Sequence, residues 1–280
     1  MQKSVKKRIM NFLAILVIAY ILILAVLLAS VNYLIFPKFR AAHMTCTPGE
    51  YHLKYEDVSI DVTGGVKLCA WYIPCASTSE LCIIYNHGNA ENISTALSHA
   101  VDLAGSLKAN LFIYDYRGYA RSGGSPSYKT FYDDADAVLN YITSRPDQKG
   151  NKFIIYGRSL GGAAAIHMAS KYNCHRLITE STFASVPLHV WFQPILFIFS
   201  PFVPDYLPSL SKASSIKAPW LIIHGGQDGV INVKNSDVLY RSECEAKKSI
   251  FIVEKARHND VMRLNKAEYL RVVSRFAAGE

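Results

Sequence analysis

A short stretch in the middle of the chain decides the fold: residues 153–165 read FIIYGRSLGGAAA. The apolar run at its start is typical of a buried strand, and the small residues at its end are typical of a closely packed helix. Between them, Gly157, Ser159 and Gly161 form a Gly-x-Ser-x-Gly motif. Between a strand and a helix, this motif predicts a nucleophile elbow, a strained turn that projects the Ser159 hydroxyl above the sheet.

Strand-like and helix-like segments alternate on both sides of this elbow. Short apolar runs, typical of strands buried on both faces, predict strands at Asp57–Val62, Val66–Ile73, Leu81–Tyr85, Asn110–Tyr114, Lys152–Tyr156, Arg176–Thr179, Trp220–His224 and Ser249–Val253. Crossover helices are predicted within Ser94–Leu107, Tyr132–Ser144 and Leu160–Tyr172. This alternation predicts an α/β fold with a mostly parallel eight-stranded sheet and helices on both faces. The short link at residues 63–65 (TGG) is a hairpin signal, so the sheet is expected to begin antiparallel.

A serine hydroxyl becomes a useful nucleophile only when a base removes its proton and a third group orients that base. In sheets that carry this elbow, the expected chain order is serine, acid, histidine. Asp228 follows the seventh predicted strand and His258 follows the eighth, so both lie just beyond the carboxyl ends of strands. We therefore predict Ser159 as nucleophile, His258 as base and Asp228 as orienting acid.

The oxyanion formed during attack on a carbonyl group needs two backbone N–H donors. One is predicted at Leu160, directly after the nucleophile. The other is predicted at Asn89, in the loop after the third strand, where Gly88 permits a sharp turn. His87, in the same loop, is interpreted as a structural residue. Because no Cys or His spacing indicates a metal site, no metal is predicted.

An apolar insertion separates the sixth and seventh predicted strands. Between Phe183 and Leu210 the only charged residue is Asp205, and five prolines break any long helix. We interpret residues 183–212 as a lid that is either ordinary packing over the sheet edge or an acyl-binding wall or membrane-facing cover. The candidate substrate-binding residues in this lid are Trp191, Phe192 and Phe197. Glu180 is the rival candidate for the orienting acid, but the segment 180–183 (ESTF) is interpreted as ordering the lid entrance.

The first part of the chain is predicted to anchor it in a membrane. No charged residue lies between Ile9 and Pro37, and roughly 20 apolar residues suffice to cross the hydrocarbon core. A cleavable signal peptide is the alternative, but Leu27 and Leu28 fit a small-x-small cleavage site poorly. We therefore predict a basic flank at 1–9, a transmembrane signal anchor at 10–36, a linker at 37–54 and one domain at 55–280.

The net charge of +8 is concentrated around this apolar segment. Six basic residues flank it before the first acidic residue, Glu50, and the remainder of the chain is close to neutral. A nucleic-acid-binding domain would be expected to carry its own basic patch, so the expected partner is the lipid bilayer, through residues 10–36, and not nucleic acid. Four basic residues precede the span, whereas Lys38 and Arg40 follow it. This difference favours a single-pass type II orientation, with the domain on the non-cytoplasmic side.

Six cysteines are present and show no CxxC spacing. On the non-cytoplasmic side, Cys69 and Cys75 are a candidate local disulfide pair. Cys82 is interpreted as a small buried residue within a strand.

The ordered set of motifs resembles the α/β-hydrolase superfamily and, more narrowly, its membrane-anchored alpha/beta-hydrolase domain-containing (ABHD) type II branch. The matching segments are 86–92 (NHGNAEN), 115–119 (DYRGY), 157–162 (GRSLGG), 180–183 (ESTF) and 258–260 (HND). The resemblance implies a serine hydrolase with a Ser159, Asp228 and His258 triad and no metal or organic cofactor. Similar proteins act on acyl esters or thioesters, including lipids and S-acylated proteins. Ala120 departs from the family pattern, which usually has glycine there.

Two other functions are compatible with these motifs. A serine peptidase could use the same triad, and a charged specificity subsite in the lid would favour it, but between Phe183 and Leu210 the lid carries only Asp205. A catalytically silent, membrane-tethered binding protein could also retain the hydrolase shape. Such proteins often lack a triad member, whereas here each role has a residue. The lid and the anchor together favour a membrane-associated, apolar acyl substrate.

Overall fold

Eight strands form one sheet with helices on both faces in the computed structural model, which describes residues 2–37 and 43–280. The strands are β1 (Glu56–Val62), β2 (Val66–Ile73), β3 (Leu81–Asn86), β4 (Asn110–Tyr114), β5 (Lys152–Arg158), β6 (Arg176–Glu180), β7 (Trp220–Gly225) and β8 (Lys248–Val253). The helices are α1 (Gln2–Ala29), α2 (Val31–Ile35), α3 (Leu97–Leu107), α4 (Tyr128–Ser144), α5 (Leu160–Lys171), α6 (Val186–Trp191), α7 (Ser209–Ala213), α8 (Lys234–Arg241), α9 (Val261–Leu264) and α10 (Lys266–Ala278). Short 3-10 segments lie at Pro48–Tyr51, Pro146–Gln148 and Leu196–Phe202.

The strand order across the sheet is β1-β2-β4-β3-β5-β6-β7-β8. Strand β2 pairs antiparallel with both β1 and β4, and every other neighbouring pair is parallel. The prediction of a mostly parallel sheet that begins antiparallel is therefore confirmed. The carboxyl ends of the parallel strands meet at one edge of the sheet, which is where open α/β sheets hold their sites.

Alternation of side chains along the strands divides the core into two parts, one on each face of the sheet. In β5, Phe153 and Ile155 pack on the face that also receives buried residues of α4, α5 and α8. Ile154 and Tyr156 pack on the opposite face, against α3, α9 and α10. Both faces are therefore covered, and the loops at the carboxyl edge remain available to build a site.

The cysteines are all free thiols in this structure, so the candidate pair of Cys69 and Cys75 is not formed. Cys69 and Ile73 belong to the same extended strand, which separates its residues by about 3.3 Å each and so carries Cys75 away from Cys69. Cys82 is fully buried in β3, in agreement with its interpretation as a core residue. Burial raises the pKa of its thiol well above the usual value.

Helix α1 is followed after Ser30 by the short helix α2. The segment Val5–Ala29 is long and apolar enough to cross a membrane, and it is the one helix with these properties in residues 2–37 and 43–280. Lys38 and Arg40, which enter the prediction of orientation, lie outside the described residues.

The end of this N-terminal segment packs onto the domain. Phe36 is only 2% exposed, and its ring centre lies 5.4 Å from that of Phe131 in α4. The side-chain oxygen of Asn32 accepts a hydrogen bond of 3.1 Å from the backbone N–H of Tyr128. The last residues of the apolar segment are therefore fixed against the beginning of α4.

Candidate active site

The turn between β5 and α5 holds Ser159 in a strained conformation, with φ 53° and ψ −118°. Its backbone N–H donates to the carbonyl oxygen of Glu180 at 2.8 Å, and its own carbonyl oxygen accepts from the Thr182 hydroxyl at 2.8 Å. A Cβ atom on Gly161 would lie 2.1 Å from the Asn86 carbonyl oxygen. The tight turn therefore needs glycine at this position, and neighbouring β6 holds the strained serine in place.

Ser159, His258 and Asp228 come together at the carboxyl edge of the sheet. The Ser159 hydroxyl oxygen lies 3.1 Å from Nε2 of His258, and Nδ1 of His258 lies 2.7 Å from Oδ2 of Asp228. When Nδ1–H donates to the carboxylate, Nε2 presents its lone pair to the serine hydroxyl. This arrangement can take the proton from Ser159 as its oxygen attacks a carbonyl carbon.

The Asp228 carboxylate is held in its ionised form. Its Oδ1 atom accepts hydrogen bonds of 2.8 Å from the backbone N–H groups of Val230 and Ile231. Burial by itself would raise the pKa of Asp228, but hydrogen bonds from His224 and His258 outweigh burial and hold this pKa well below its usual range. Nε2 of His224, at the end of β7, lies 3.2 Å from Oδ2 of Asp228.

Glu180 lies on the other face of the sheet and does not contact His258. Its Oε2 atom accepts hydrogen bonds from the Tyr156 hydroxyl at 2.8 Å and the Tyr269 hydroxyl at 2.6 Å. Both tyrosines belong to the core beneath α3 and α10, whereas the lid packs with the opposite core. The Glu180 carboxylate therefore takes no part in ordering the lid entrance, because side chains alternate along β6 and this one points away from the lid. The segment 180–183 contributes there through Thr182, whose hydroxyl donates to the Ser159 carbonyl oxygen, and through Phe183, which borders the cavity.

Asn89 and Leu160 border the same cavity as Ser159. Within the described ranges, the backbone N–H groups of these two residues donate no hydrogen bond to another part of the chain. The loop that carries Asn89 is braced, since the Gly88 N–H donates to Oε2 of Glu91 at 2.9 Å. Both predicted oxyanion donors therefore lie beside the serine with their amides available.

The side chain of His87 holds this loop. It is fully buried, and its Nδ1 lies 2.8 Å from the Gly88 carbonyl oxygen. The Tyr116 hydroxyl donates to the His87 carbonyl oxygen at 2.6 Å, and Arg158 forms an ion pair with Glu91 in the same loop. These contacts agree with the structural interpretation of His87.

An apolar cavity of about 290 Å³ lies directly over Ser159. The lid contributes side chains of α6, the 3-10 segment and the link to α7, among them Val186, Val190 and Leu207. The N-terminal segment supplies the other side: Leu27, Leu28, Val31, Leu34 and Ile35. A cavity of this kind suits an apolar chain joined to a polar group that reacts at its floor.

The predicted aromatic wall residues Trp191, Phe192 and Phe197 do not border this cavity. Val186, His189 and Val190 share one face of the short helix α6, at the i, i+3, i+4 spacing, and that face is the one turned to the cavity. Trp191 therefore points elsewhere and stays 53% exposed, and Phe197 stays 46% exposed with its ring 6.2 Å from the Trp191 ring.

His189 is a cavity residue that sequence reasoning missed. It follows no strand, so the search for a base at strand ends passed over it. Its Nδ1 atom is buried without a hydrogen-bond partner in the part of the chain that the structure describes, and burial lowers the pKa of this imidazole. Helical spacing from Val186 was the available signal, but the prolines on either side made a helix there hard to predict.

A strained serine at a strand-to-helix elbow, with an acid and a histidine after the last two strands of a mostly parallel eight-stranded sheet, defines the α/β-hydrolase fold. An esterase of Pyrococcus furiosus superposes on 85% of this chain and 94% of its own, with a TM-score of 0.71 at 19% identity. This similarity concerns the fold alone.

Residues 77–213 match the model of a protein family described as serine aminopeptidase, S33. Alpha/beta hydrolase domain-containing protein 17C of Mus musculus is 32% identical over 214 residues, which cover 76% of this chain and 65% of the mouse protein. The Xenopus tropicalis protein of the same name is 32% identical over 216 residues, which cover 77% of this chain and 67% of that protein. The chain therefore belongs to the alpha/beta-hydrolase domain-containing group of the α/β-hydrolase superfamily. It spans about two thirds of the length of these relatives.

Proposed function

We propose that this chain is a membrane-anchored serine hydrolase that cleaves acyl esters or thioesters through a covalent acyl-enzyme. The observation that carries the proposal is the hydrogen-bonded series Ser159, His258 and Asp228 at the floor of an apolar cavity. The apolar helix Val5–Ala29 supports anchoring in a bilayer. The basic residues before it favour placing the domain on the non-cytoplasmic side.

In the first half of the reaction, the Ser159 oxygen attacks the acyl carbonyl carbon while Nε2 of His258 takes the hydroxyl proton. The resulting oxyanion accepts hydrogen bonds from the N–H groups of Asn89 and Leu160. The tetrahedral intermediate then collapses, and the bond to the alcohol or thiol breaks. The leaving group receives the proton from His258, and the acyl group remains on Ser159.

In the second half, water replaces the leaving group. His258 takes a proton from this water as its oxygen attacks the acyl-enzyme, and the same two N–H groups bind the new oxyanion. Collapse expels the Ser159 oxygen, which recovers its proton from His258. The products are a carboxylic acid and the free enzyme, and Asp228 stays ionised throughout to stabilise the imidazolium.

The lining of the cavity favours an acyl substrate over a peptide. An aminopeptidase, the activity in the matching family's description, must bind the substrate's α-ammonium group, for which a carboxylate is the natural partner. None of the residues that border the cavity, all of them within the described ranges, carries a carboxylate. An apolar acyl chain requires no such partner and gains from burial against these side chains.

Labelling with a fluorophosphonate tests this function, because the probe reacts covalently with activated serines. Membranes that contain the full-length protein are compared with membranes that contain Ser159→Ala or the control Ser170→Ala. The control removes a serine hydroxyl on α5 that donates to the His167 carbonyl oxygen of the same helix. We expect labelling of the parent and of Ser170→Ala but not of Ser159→Ala, together with turnover of p-nitrophenyl acetate in the first two. A folded parent protein that neither labels nor turns over ester would favour the silent binding protein instead.

A further inference from the structure

We propose that the cavity above Ser159 is completed by the membrane anchor and opens into the lipid leaflet, so that a bilayer-resident substrate brings its acyl chain to the serine along the anchor. This inference rests on the proposed function and names the source of its substrate. The anchor would then be a wall of the acyl site as well as an attachment.

The first observation is a single stripe of apolar residues on the N-terminal helices. The side chains that border the cavity are Leu27, Leu28, Val31, Leu34 and Ile35. Their spacing of one, three, three and one residues is that of one face of a continuous helix. One face of the anchor's end is therefore turned to the reaction centre, while residues such as Val26 are exposed on the outside.

The second observation is that the lid contacts the middle of α1 as well as its carboxyl-terminal end. The Tyr20 hydroxyl donates a hydrogen bond of 2.9 Å to the Ile198 carbonyl oxygen, and the Tyr20 ring stacks on Phe199 with centres 4.8 Å apart. Tyr20 precedes Ala29 by nine residues, which corresponds to about 14 Å along a helix. If Val5–Ala29 spans the bilayer, this part of the lid lies within the hydrocarbon layer.

The lid has the surface that such a position requires. Large apolar side chains are exposed on it, namely Trp191, Ile195, Phe197, Ile198 and Phe202. Between Phe183 and Leu210 its only charged residue is Asp205, whose carboxylate accepts a hydrogen bond of 3.0 Å from the Val186 N–H. Exposure of this apolar patch to water would be unfavourable, whereas in a bilayer its side chains would contact lipid acyl chains. The Tyr20 hydroxyl also satisfies a backbone carbonyl that lipid could not.

A hydrogen bond links the anchor to the site itself. The side-chain amide of Asn89 donates to the carbonyl oxygen of Ile35, the last residue of α2, at 3.4 Å. Asn89 also carries one of the two backbone N–H groups assigned to the oxyanion. The apolar path along the anchor therefore ends beside the atoms that would react.

This geometry suits a substrate whose acyl chain stays in an apolar environment throughout. Moving a long chain from lipid through water would add an unfavourable contribution for every methylene group. Along the anchor the chain exchanges lipid for leucine, isoleucine and valine side chains, and only the ester or thioester group has to rise to Ser159. Long-chain substrates in the bilayer should therefore depend on the anchor's inner face much more strongly than short water-soluble esters do.

A matched pair of substitutions tests the role of this inner face. Val31→Trp would fill the cavity, whereas Val26→Trp places the same side chain at a position that is 65% exposed on the outer face. The full-length proteins are reconstituted in phosphatidylcholine vesicles and assayed with a palmitoyl thioester in the bilayer and with p-nitrophenyl acetate in solution. We expect Val31→Trp to lower kcat/KM for the palmitoyl substrate by about tenfold or more and to lower kcat/KM for the acetate by a much smaller factor, because the acetyl group is too short to extend along the anchor. Val26→Trp should change neither.

Equal effects of the two tryptophans, or no effect of Val31→Trp on the palmitoyl substrate, would overturn the inference while acetate turnover still supports the proposed function. A parent protein that neither turns over the acetate nor reacts with the fluorophosphonate would instead overturn the proposed function. The acetate assay therefore separates the two failures.

The depth of the lid has a test that needs no activity. Trp191 is exposed on the lid, whereas Trp71 and Trp220 are buried in the domain. In vesicles of phosphatidylcholine with brominated acyl chains, the parent protein's tryptophan fluorescence should be quenched, and Trp191→Phe should lose most of the quenched component. Fluorescence that brominated lipid leaves unchanged in the parent would place the lid in water and contradict the proposal.

Discussion

At the scale of single residues, the direction of a side chain separates the two candidate acids. Asp228 and Glu180 both end strands of the sheet, but Asp228 reaches His258 and Glu180 reaches Tyr156 and Tyr269 on the opposite face. Both carboxylates are buried and ionised. Because an orienting acid must touch the base, contact with the imidazole distinguishes their roles where burial does not.

Substitution of these two acids should therefore affect activity very differently. Asp228→Asn removes the charge that stabilises the imidazolium and favours the wrong tautomer of His258, so we expect kcat for p-nitrophenyl acetate to fall by roughly 10³–10⁴. Glu180→Gln should retain activity within about tenfold, because it acts only through Arg158 and the elbow backbone. Steady-state kinetics of the two purified variants measures these effects. A greater fall in kcat for Glu180→Gln than for Asp228→Asn would assign the role of orienting acid to Glu180.

Glu180 should instead determine how the fold responds to acid. Burial by itself would raise its pKa, but His99, Arg158 and Tyr269 outweigh burial and lower the pKa from 4.5 to about 2. A lowered pKa in the folded state gives stability that is complete above the unfolded-state pKa and is lost as the pH falls from about 4.5 to about 2. The difference corresponds to roughly 3 kcal/mol at neutral pH.

We therefore expect the parent protein's Tm, measured by circular dichroism in detergent micelles, to fall steeply between pH 4.5 and pH 2.5. Glu180→Gln should start from a lower Tm at pH 7 and lose less over the same interval. Parallel Tm profiles for the two proteins would show that Glu180 does not contribute to acid sensitivity.

Sequence reasoning located the residues of the candidate triad better than the residues that support them. Ser159, Asp228 and His258 follow from chain order and strand ends, and the structure brings these side chains into contact. The direction of Glu180 was also available, because Leu177 and Thr179 alternate with it along β6. The contribution of His224 was not, because it depends on how the chain after β7 folds back to bring Asp228 beside the strand.

At the scale of elements, the conformation of the turn after β4 accounts for the glycine that the family pattern usually has at position 120, where this chain has alanine. This residue has φ 40°, in the left-handed region that favours glycine. Its neighbour Tyr119 donates a hydrogen bond of 2.9 Å from its hydroxyl to the Asn89 carbonyl oxygen. The turn thus supports the loop of the proposed oxyanion donor. Ala120 adopts the left-handed backbone conformation that this turn requires, and that conformation is strained for alanine.

Ala120→Gly should relieve this strain. The left-handed conformation costs a non-glycine residue about 1–2 kcal/mol, and the greater freedom of glycine in the unfolded chain offsets part of that. We expect a net stabilisation of roughly 0.5–1 kcal/mol in urea unfolding, with unchanged esterase activity. Ala137→Gly, in the middle of α4, is the control and should lose about 1 kcal/mol. Destabilisation of both variants would mean that the turn is not strained.

The strands of the sheet were predictable to within two residues, since β-branched and aromatic runs buried on both faces leave a clear pattern. The lid was predictable as an insertion but not in its orientation. Its prolines divide it into pieces of one or two turns, which are too short for a hydrophobic period to show which face is inward. Trp191, Phe192 and Phe197 were chosen for size, and the structure turns smaller neighbours to the cavity.

At the scale of the whole molecule, Phe36 joins the N-terminal helices to the domain core. Its ring packs among residues of the sheet face that also holds α4 and α5. The sequence did not predict this junction, because it placed residues 10–36 in the membrane and residues 37–54 in a linker. Phe36 stands at the boundary between them and is buried by Phe131, which is far away along the chain.

Phe36→Ala should therefore weaken the domain itself. Removal of a buried phenylalanine ring typically costs about 3–5 kcal/mol, and we expect a value near the lower limit because the helix can separate from the domain locally. Urea unfolding in micelles, followed by tryptophan fluorescence, measures this loss. Phe12→Ala on α1, where the ring is 61% exposed, is the matched control and should have little effect. A similar result for both variants would mean that the helix end does not support the domain.

The contact between Tyr20 and Ile198 joins residues that are 178 positions apart in the chain. At a synthesis rate of about 5–20 residues per second, the first helix leaves the ribosome roughly 9 to 36 s before the lid residue that it will meet. During this interval the sheet still lacks β7 and β8, and with them Asp228 and His258. The apolar cavity and the contact between Ser159 and His258 are thus completed near the end of translation, so a partly made chain lacks the proposed triad.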